Sequence, residues 1–216
     1  MPLEIRSLSD RVHEILRDRI VAHVIAPGEA IRQDVIATEL GISKIPLREA
    51  LSRLEEARLV RSVPNRGYVA APLSIEEADE VFALRMLVEP PTAALASKHP
   101  SAEARERVKK TLADLVGAGS GLKVSAAARL ALLLAMLRPL ERPTTIHLVA
   151  QLFFRSERYV HHSDEEGELD ISGVHILADA WLSGRSKEVE IEYRARLKAR
   201  WLEAREALQA LSQDPT

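Results

Sequence analysis

The sequence predicts a mainly α protein in two parts: three helices closed by a β-hairpin, then an all-helical bundle. Three observations carry this. Apolar residues recur at helical spacing over most of the 216 residues. Strand-like segments fall together at Leu59–Val63 and Tyr68–Ala71, on either side of Pro64-Asn-Arg-Gly67, a good turn sequence. Pro72-Leu-Ser74 then punctuates the chain before the long helical remainder. The expected domains are therefore residues 1–72 and 73–216, a length that suits one large domain or two smaller ones.

In the first part, Val12, Ile15, Leu16 and Ile20 give a helical stripe over Leu8–Val24, with Ser7 or Ser9 as N-cap and Ala26-Pro-Gly28 as terminator. A short helix over Gln33–Leu40 should bury Val35, Ile36 and Leu40, and Gly41 suits a left-handed C-cap. Ser43 is the expected cap of a third helix. Pro46 falls in its first turn, where the missing N–H does little harm. Leu47, Ala50, Leu51 and Leu54 form that helix's apolar stripe.

The second part opens at Ser74, with Glu76 and Glu77 placed favourably toward the helix dipole. Helices are expected at about 75–98, 101–117, 123–138, 143–162, 171–183 and 186–211. The breaks carry Pro100, Gly117/Gly119/Gly121, Pro139/Pro143, the acidic stretch Ser163–Asp170 and Ser183-Gly184. The last helix places Val189, Tyr193, Leu197 and Trp201 at four-residue steps.

Composition excludes several function classes. The chain has no cysteine, so disulfides, thiolate metal sites and cysteine nucleophiles are out. The longest apolar run, Leu130–Leu137, falls well short of the roughly 20 residues a membrane span needs. The N-terminal stretch lacks a signal-peptide core, which makes a cytoplasmic location the expectation. Residues 1–72 hold 11 Lys/Arg against 10 Asp/Glu, so any nucleic-acid contact must come from local placement of cations and not from bulk charge.

That placement is specific. Lys44, Arg48 and Ser52 recur every four residues on the face opposite the third helix's apolar stripe. One side anchors and the other offers cations and a hydroxyl, as a helix reading the major groove requires. With the preceding short helix, the Gly41 turn and a hairpin bearing Arg66, these are the parts of a winged helix-turn-helix. Taken alone, Lys44, Arg48 and Ser52 also fit an ordinary solvated face. Arg53 and Arg58 read as solvent or salt-bridge residues, and His13 and His23 as surface positions.

Ile42-Ser-Lys-Ile-Pro-Leu-Arg-Glu-Ala-Leu51 with Arg53-Leu-Glu55 resembles the recognition-helix signature of GntR-type bacterial transcription regulators, and Arg66-Gly-Tyr-Val69 resembles their wing. Val81-Phe-Ala-Leu-Arg-Met-Leu-Val-Glu89 with Ala93-Ala94 is similar to the opening helix of the FCD (FadR-like C-terminal) effector domain. His175-Ile-Leu-Ala-Asp-Ala180 with Ser183-Gly184 is similar to its penultimate helix and turn. The resemblance implies a homodimer on roughly palindromic operator DNA, acting as a repressor, with an effector domain that binds a small molecule. It carries DNA contacts onto Lys44, Arg48, Arg66 and Gly67, with Arg32 and Ser52 as further candidates. Asp34 stands where a basic residue is frequent, and Ile45 replaces a common Thr, so the resemblance carries over DNA binding but not the family's base preference.

The resemblance also implies a divalent metal held by an Asp and a His four apart and by two further His. The corresponding positions are Arg129, Leu133, His175 and Arg196, so His175 alone is retained and no metal or other cofactor is expected. Arg85 matches a family arginine that faces the bundle interior. Arg85 and Arg196, with Arg129 and His175, are the candidate effector-binding residues, and paired arginines could hold an organic acid bidentately without metal. His175 also fits an ordinary core histidine. His161-His162 with Asp164, Glu165 and Glu166 reads as an acidic loop or as an opportunistic metal site. Two other readings stay open: a non-sensing DNA-binding protein with a decayed pocket, and an enzyme using Glu89 and His175, which has no nucleophile elbow or phosphate loop in its favour. No enzyme activity is expected.

Overall fold

Ser7 starts the first helix, α1 (Leu8–Val21), with a capping box. Its hydroxyl accepts from the Asp10 N–H at 3.1 Å, and the Asp10 carboxylate accepts from the Ser7 N–H at 3.0 Å. The computed structural model describes residues 7–117, 126–160 and 171–213, and the chain divides into two units, Met1–Leu73 and Ser74–Thr216.

In the first unit α1 packs its Val12, Leu16 and Ile20 stripe against α3 (Lys44–Glu56), which turns Leu47, Ala50, Leu51 and Leu54 inward. Between them, α2 (Gln33–Leu40) ends on Gly41 at φ +64°, a left-handed cap that glycine adopts without a Cβ clash. The inward stripe of α2 is Ile36 and Ala37, so Val35, expected in the core, is 57% exposed one position off that stripe. Ser43 sits at the N-cap of α3, but its hydroxyl caps nothing. The cause is Pro46, the third helical residue, which has no N–H to donate to it.

Strands β1 (Val60–Val63) and β2 (Gly67–Ala70) pair antiparallel with Val60 opposite Ala70 and Val63 opposite Gly67. Asn65 (φ +61°) and Gly67 (φ +73°) make the reversal. The stretch 28–31 adds a third, irregular edge. Gly28 N–H donates to the Ala70 carbonyl at 3.0 Å, Ala70 N–H to the Glu29 carbonyl at 2.9 Å, and Ile31 N–H to the Tyr68 carbonyl at 2.8 Å. These bonds fix the hairpin against the segment that leads into α2.

The second unit contains six described α-helices: α4 (Ile75–Ala96), α5 (Ala102–Gly117), α6 (Ala126–Leu137), α7 (Pro143–Val160), α8 (Ile171–Leu182) and α9 (Ser186–Gln213), with a 3-10 turn at Arg138–Leu140. These match the expected helices closely, while Gly119, Gly121 and the 161–170 stretch with its two histidines lie outside the described residues. α4 packs chiefly on α9 and α7, and α5 on α6 and α8. The Ser74 hydroxyl caps α4 by accepting from the Glu77 N–H at 3.0 Å. Glu77 then clamps α7, accepting from Arg155 at 2.8 Å and from the Tyr159 hydroxyl at 2.7 Å.

Pro90 and Pro91 stand inside α4. Pro90 has no N–H for the Met86 carbonyl four residues back, and Arg194 of α9 donates to that carbonyl instead, at 2.9 Å. Among the described residues, no helix is long and apolar enough to cross a membrane.

Candidate functional site

Two sets of side chains stand out, one in each unit. In the first, Lys44, Arg48 and Ser52 are all exposed on α3 while Leu47, Leu51 and Leu54 behind them are fully buried. The polar face is thus carried on a rigid support. Arg66 and Gly67 lie exposed at the hairpin tip, and Arg32 is exposed at the N-cap of α2. A Cβ on Gly67 would lie 3.6 Å from Gln33 Nε2, so the start of β2 approaches the start of α2 and the Arg32 position. Lys44 is engaged within the protein: its Nζ lies 2.5 Å from Asp34 Oδ1 on α2. Ile45 beside it is 71% exposed, and Glu49, one turn further along α3, is exposed with it.

In the second unit a cavity of about 100 Å³ lies among α4 to α9. Three of the four candidate effector residues converge on it: Arg85 from α4, Arg129 from α6 and Arg196 from α9. His175 does not. The inward stripe of α8 is Val174, Leu177, Ala178 and Trp181, and His175 falls one position past it, exposed. The core-histidine and ligand-contact readings of His175 are both corrected by this placement.

Arg85 is buried, and its fork is already filled. Nε donates to Glu89 Oε1 at 2.7 Å and Nη2 to Glu89 Oε2 at 2.9 Å, while Nη1 donates to Ser156 Oγ at 2.6 Å. The bidentate capture expected of Arg85 toward a ligand is therefore made by the carboxylate one turn along its own helix. The Tyr193 hydroxyl donates to Glu89 Oε2 at 2.6 Å, and the guanidinium stacks 5.2 Å from the Phe153 ring centroid. Burial alone would pull the Arg85 guanidinium down, but the charge of Glu89 outweighs it and holds it firmly protonated. Burial and the same carboxylate push the Tyr193 hydroxyl well up, so it remains a donor.

Glu157 of α7, 2% exposed, faces the cavity and pairs with Arg129 and, at 3.3 Å, with Arg200. Its burial favours the neutral acid, yet Arg200, Arg129 and Arg85 together keep the carboxyl below the usual range. Arg200 is pulled down by burial and by repulsion from Arg129 and Arg85, with Glu157 opposing. Facing these groups are Leu132, Leu133, Met136, Phe153 and Leu177.

Glu157, Tyr193 and Arg200 were not anticipated as site residues, and Glu89 was named only in the enzyme reading, beside His175. The signal was present: Tyr193, Arg196, Leu197 and Arg200 are spaced i, i+3, i+4, i+7 on one face of α9, and Glu157 interrupts the apolar stripe Val149, Phe153, Val160 of α7. A divalent metal does not suit this donor set. Arg129, Leu133 and Arg196 offer no lone pair, and neighbouring guanidinium groups repel a cation. Among the described residues no group of three His, Asp or Glu side chains is placed to hold a metal.

A three-helix unit with a paired, basic hairpin and an exposed polar recognition face is a winged helix-turn-helix. Residues 8–69 match the bacterial regulatory proteins of the gntR family. Over those residues the first unit is thus similar to the gntR-family winged helix-turn-helix. Relatives include an HTH-type transcriptional regulator of Agrobacterium vitis, 32% identical over 36% of this chain and 45% of the relative. Another is the gluconate operon transcriptional repressor of Bacillus subtilis, 34% identical over 37% of this chain and 32% of the relative. These matches span less than half the length of those relatives. Over nearly the whole chain the fold is shared with E. coli McbR/YncC, with a TM-score of 0.77 at 20% identity, covering 96% of this chain and 98% of that one. A GntR-family regulator from Pseudomonas syringae pv. tomato gives a TM-score of 0.57 at 22% identity, covering 99% and 90%.

Proposed function

We propose that this chain is a cytoplasmic transcription regulator, a repressor, that binds operator DNA as a homodimer and answers to a small organic acid held in its second unit. The observation that carries the DNA reading is the face of α3: Lys44, Arg48 and Ser52 exposed over a fully buried stripe, within a region that matches the gntR family. Arg48 enters the major groove, where an arginine on guanine contributes about 1–3 kcal/mol of discrimination. Arg66 and Gly67 follow the adjacent backbone or minor groove, Arg32 and Lys44 contact phosphate, and Ser52 accepts or donates at the groove edge. Ile45, exposed and apolar, is suited to a thymine methyl group.

The effector reading rests on the arginine-lined cavity. Arg129 and Arg196, with Arg200, stand where a carboxylate head can be received, and they supply the positive charge that a metal would otherwise bring. Arg85, closed on Glu89, lines the same cavity. Release follows if the acid favours one arrangement of the winged domains over the other.

The test is selection of binding sites from a randomised duplex library by the full chain, followed by anisotropy titration of the winner. Wild type should enrich a two-fold related sequence. Arg48→Ala should lose about 1–3 kcal/mol on it and flatten one position of the preference. Arg66→Ala should lower the salt slope by about 1 with little change in preference. Failure of the wild-type chain to enrich any sequence would sink the proposal.

A further inference from the structure

We infer that Asp34 reads a cytosine: its carboxylate accepts from the base's amino group in the major groove, while Lys44 screens it from the neighbouring phosphates. This rests on the reading of α3 as the helix that enters the groove, and adds to that reading a further contact and the base it takes.

Position comes first. Asp34 is the second residue of α2, which the buried Ile36 and Ala37 hold on the core. Its carboxylate meets the first residue of α3, with Oδ1 2.5 Å from Lys44 Nζ. Gln33, just before it, reaches toward the wing: its Nε2 lies 3.6 Å from where a Cβ on Gly67 would stand. Asp34 thus stands between the start of α3 and the hairpin tip, the two parts proposed to contact DNA. Its side chain is 80% exposed and that of Lys44 56%, so the pair does little for the fold. Glu39, at the other end of α2, differs: Arg19 of α1 donates to both of its oxygens, at 2.9 and 2.5 Å.

Chemistry decides what such a carboxylate can meet. An ionised carboxylate only accepts hydrogen bonds. In the major groove the donors on base edges are the N4 amino group of cytosine and the N6 amino group of adenine. The adenine amino group adjoins N7, an acceptor that repels a carboxylate. The cytosine amino group adjoins a C5–H, which does not. Cytosine is therefore the base that Asp34 suits. The phosphates on either side of the groove repel the same carboxylate, and Lys44 answers them. Its ammonium has three donors and no acceptor, so it can hold Asp34 and still reach a phosphate oxygen. One acidic and one basic side chain, 2.5 Å apart, thus divide the work: Lys44 positions and Asp34 specifies.

Site selection from a randomised duplex library, run with the full chain and with two variants, tests this. Wild type should require cytosine at one position that Asp34→Ala no longer distinguishes, a loss of about tenfold in preference there. The same variant should bind an unrelated duplex no more weakly than wild type. Asp34→Asn, which donates as well as accepts, should admit adenine at that position. A duplex carrying 2-pyrimidinone there, which is cytosine without its amino group, closes the cycle. It should weaken wild type about tenfold and Asp34→Ala hardly at all, which a mere shift of α2 would not produce. If Asp34→Ala keeps the wild-type preference at every position, Asp34 is only the partner of Lys44: the inference is overturned and recognition by α3 stands. Equal losses on 2-pyrimidinone for wild type and Asp34→Ala overturn it in the same way. A wild-type chain that enriches no sequence overturns the DNA reading itself.

Discussion

Glu89→Gln is the sharpest single perturbation the structure offers. The Glu89 side chain is fully buried, and its two oxygens accept from Arg85 and Tyr193. Removing the charge leaves the Arg85 guanidinium, 3% exposed, without its counter-ion. Breaking a buried pair from one side costs about 3–5 kcal/mol. With a urea dependence of about 2 kcal/mol/M, in the range for a unit of this size, the unfolding midpoint should fall by roughly 1.5–2.5 M. Tryptophan fluorescence reads this cleanly, because the two tryptophans, Trp181 and Trp201, both lie in the second unit. The companion variant Arg85→Met/Glu89→Met/Tyr193→Phe replaces the network with apolar groups of similar size and should recover most of the loss, since such replacements are often neutral or better. A shift of less than about 0.5 M for Glu89→Gln, or a companion variant no better than the single one, would refute the claim that uncompensated charge is what the pair prevents.

Other outcomes follow from the first unit. Asp10, bonded to Arg53 and to Ser7, has its carboxyl lowered from 3.8 to about 2. Its contribution to stability is therefore complete above about pH 4 and disappears as the pH falls through about 2; Asp10→Asn should flatten that acid limb in a circular dichroism titration. His13, half-buried near Arg53 and Arg17, has its pKa lowered chiefly by burial. Stability should fall as the pH drops below about 6.5, and His13→Gln should remove that step. Asp34→Ala frees Lys44 from an exposed pair and should leave the melting temperature almost unchanged. The same variant should steepen the salt dependence of non-specific DNA binding by up to about one unit. Gly67→Ala must hold φ +73° with a Cβ; a penalty of about 1–2 kcal/mol is expected, read as faster amide exchange across the hairpin.

The helices were legible because their stripes are regular and their ends are punctuated, as at Ser7, Gly41, Ser74 and Gly184. The 28–31 edge was not, because Gly28-Glu-Ala-Ile31 has no alternation and pairs only through the chain reversal that brings β2 beside it. Val35 and His175 show the limit of stripe reading: each lies one position, about 100° around its helix, from the residues that face inward. In the cavity, Arg129 and Arg196 could be placed by resemblance. That Arg85 answers to Glu89 and not to a ligand could not, since an i, i+4 pair of Arg and Glu is more often a surface pair than a buried one.

The proline pair in α4 has a consequence for the order in which the chain acquires its structure. A helix that lacks a rung at Met86 and borrows the missing donor from Arg194, 108 residues later, does not complete itself locally. Tyr193 reaches back 104 residues to Glu89 in the same way. During synthesis the first unit can close while the ribosome is still working, since its longest described side-chain hydrogen bond, Arg53 to Asp10, spans 43 residues. The middle of α4 must wait until α9 has emerged. The nascent second unit thus carries an unfinished core helix until α9 has been made.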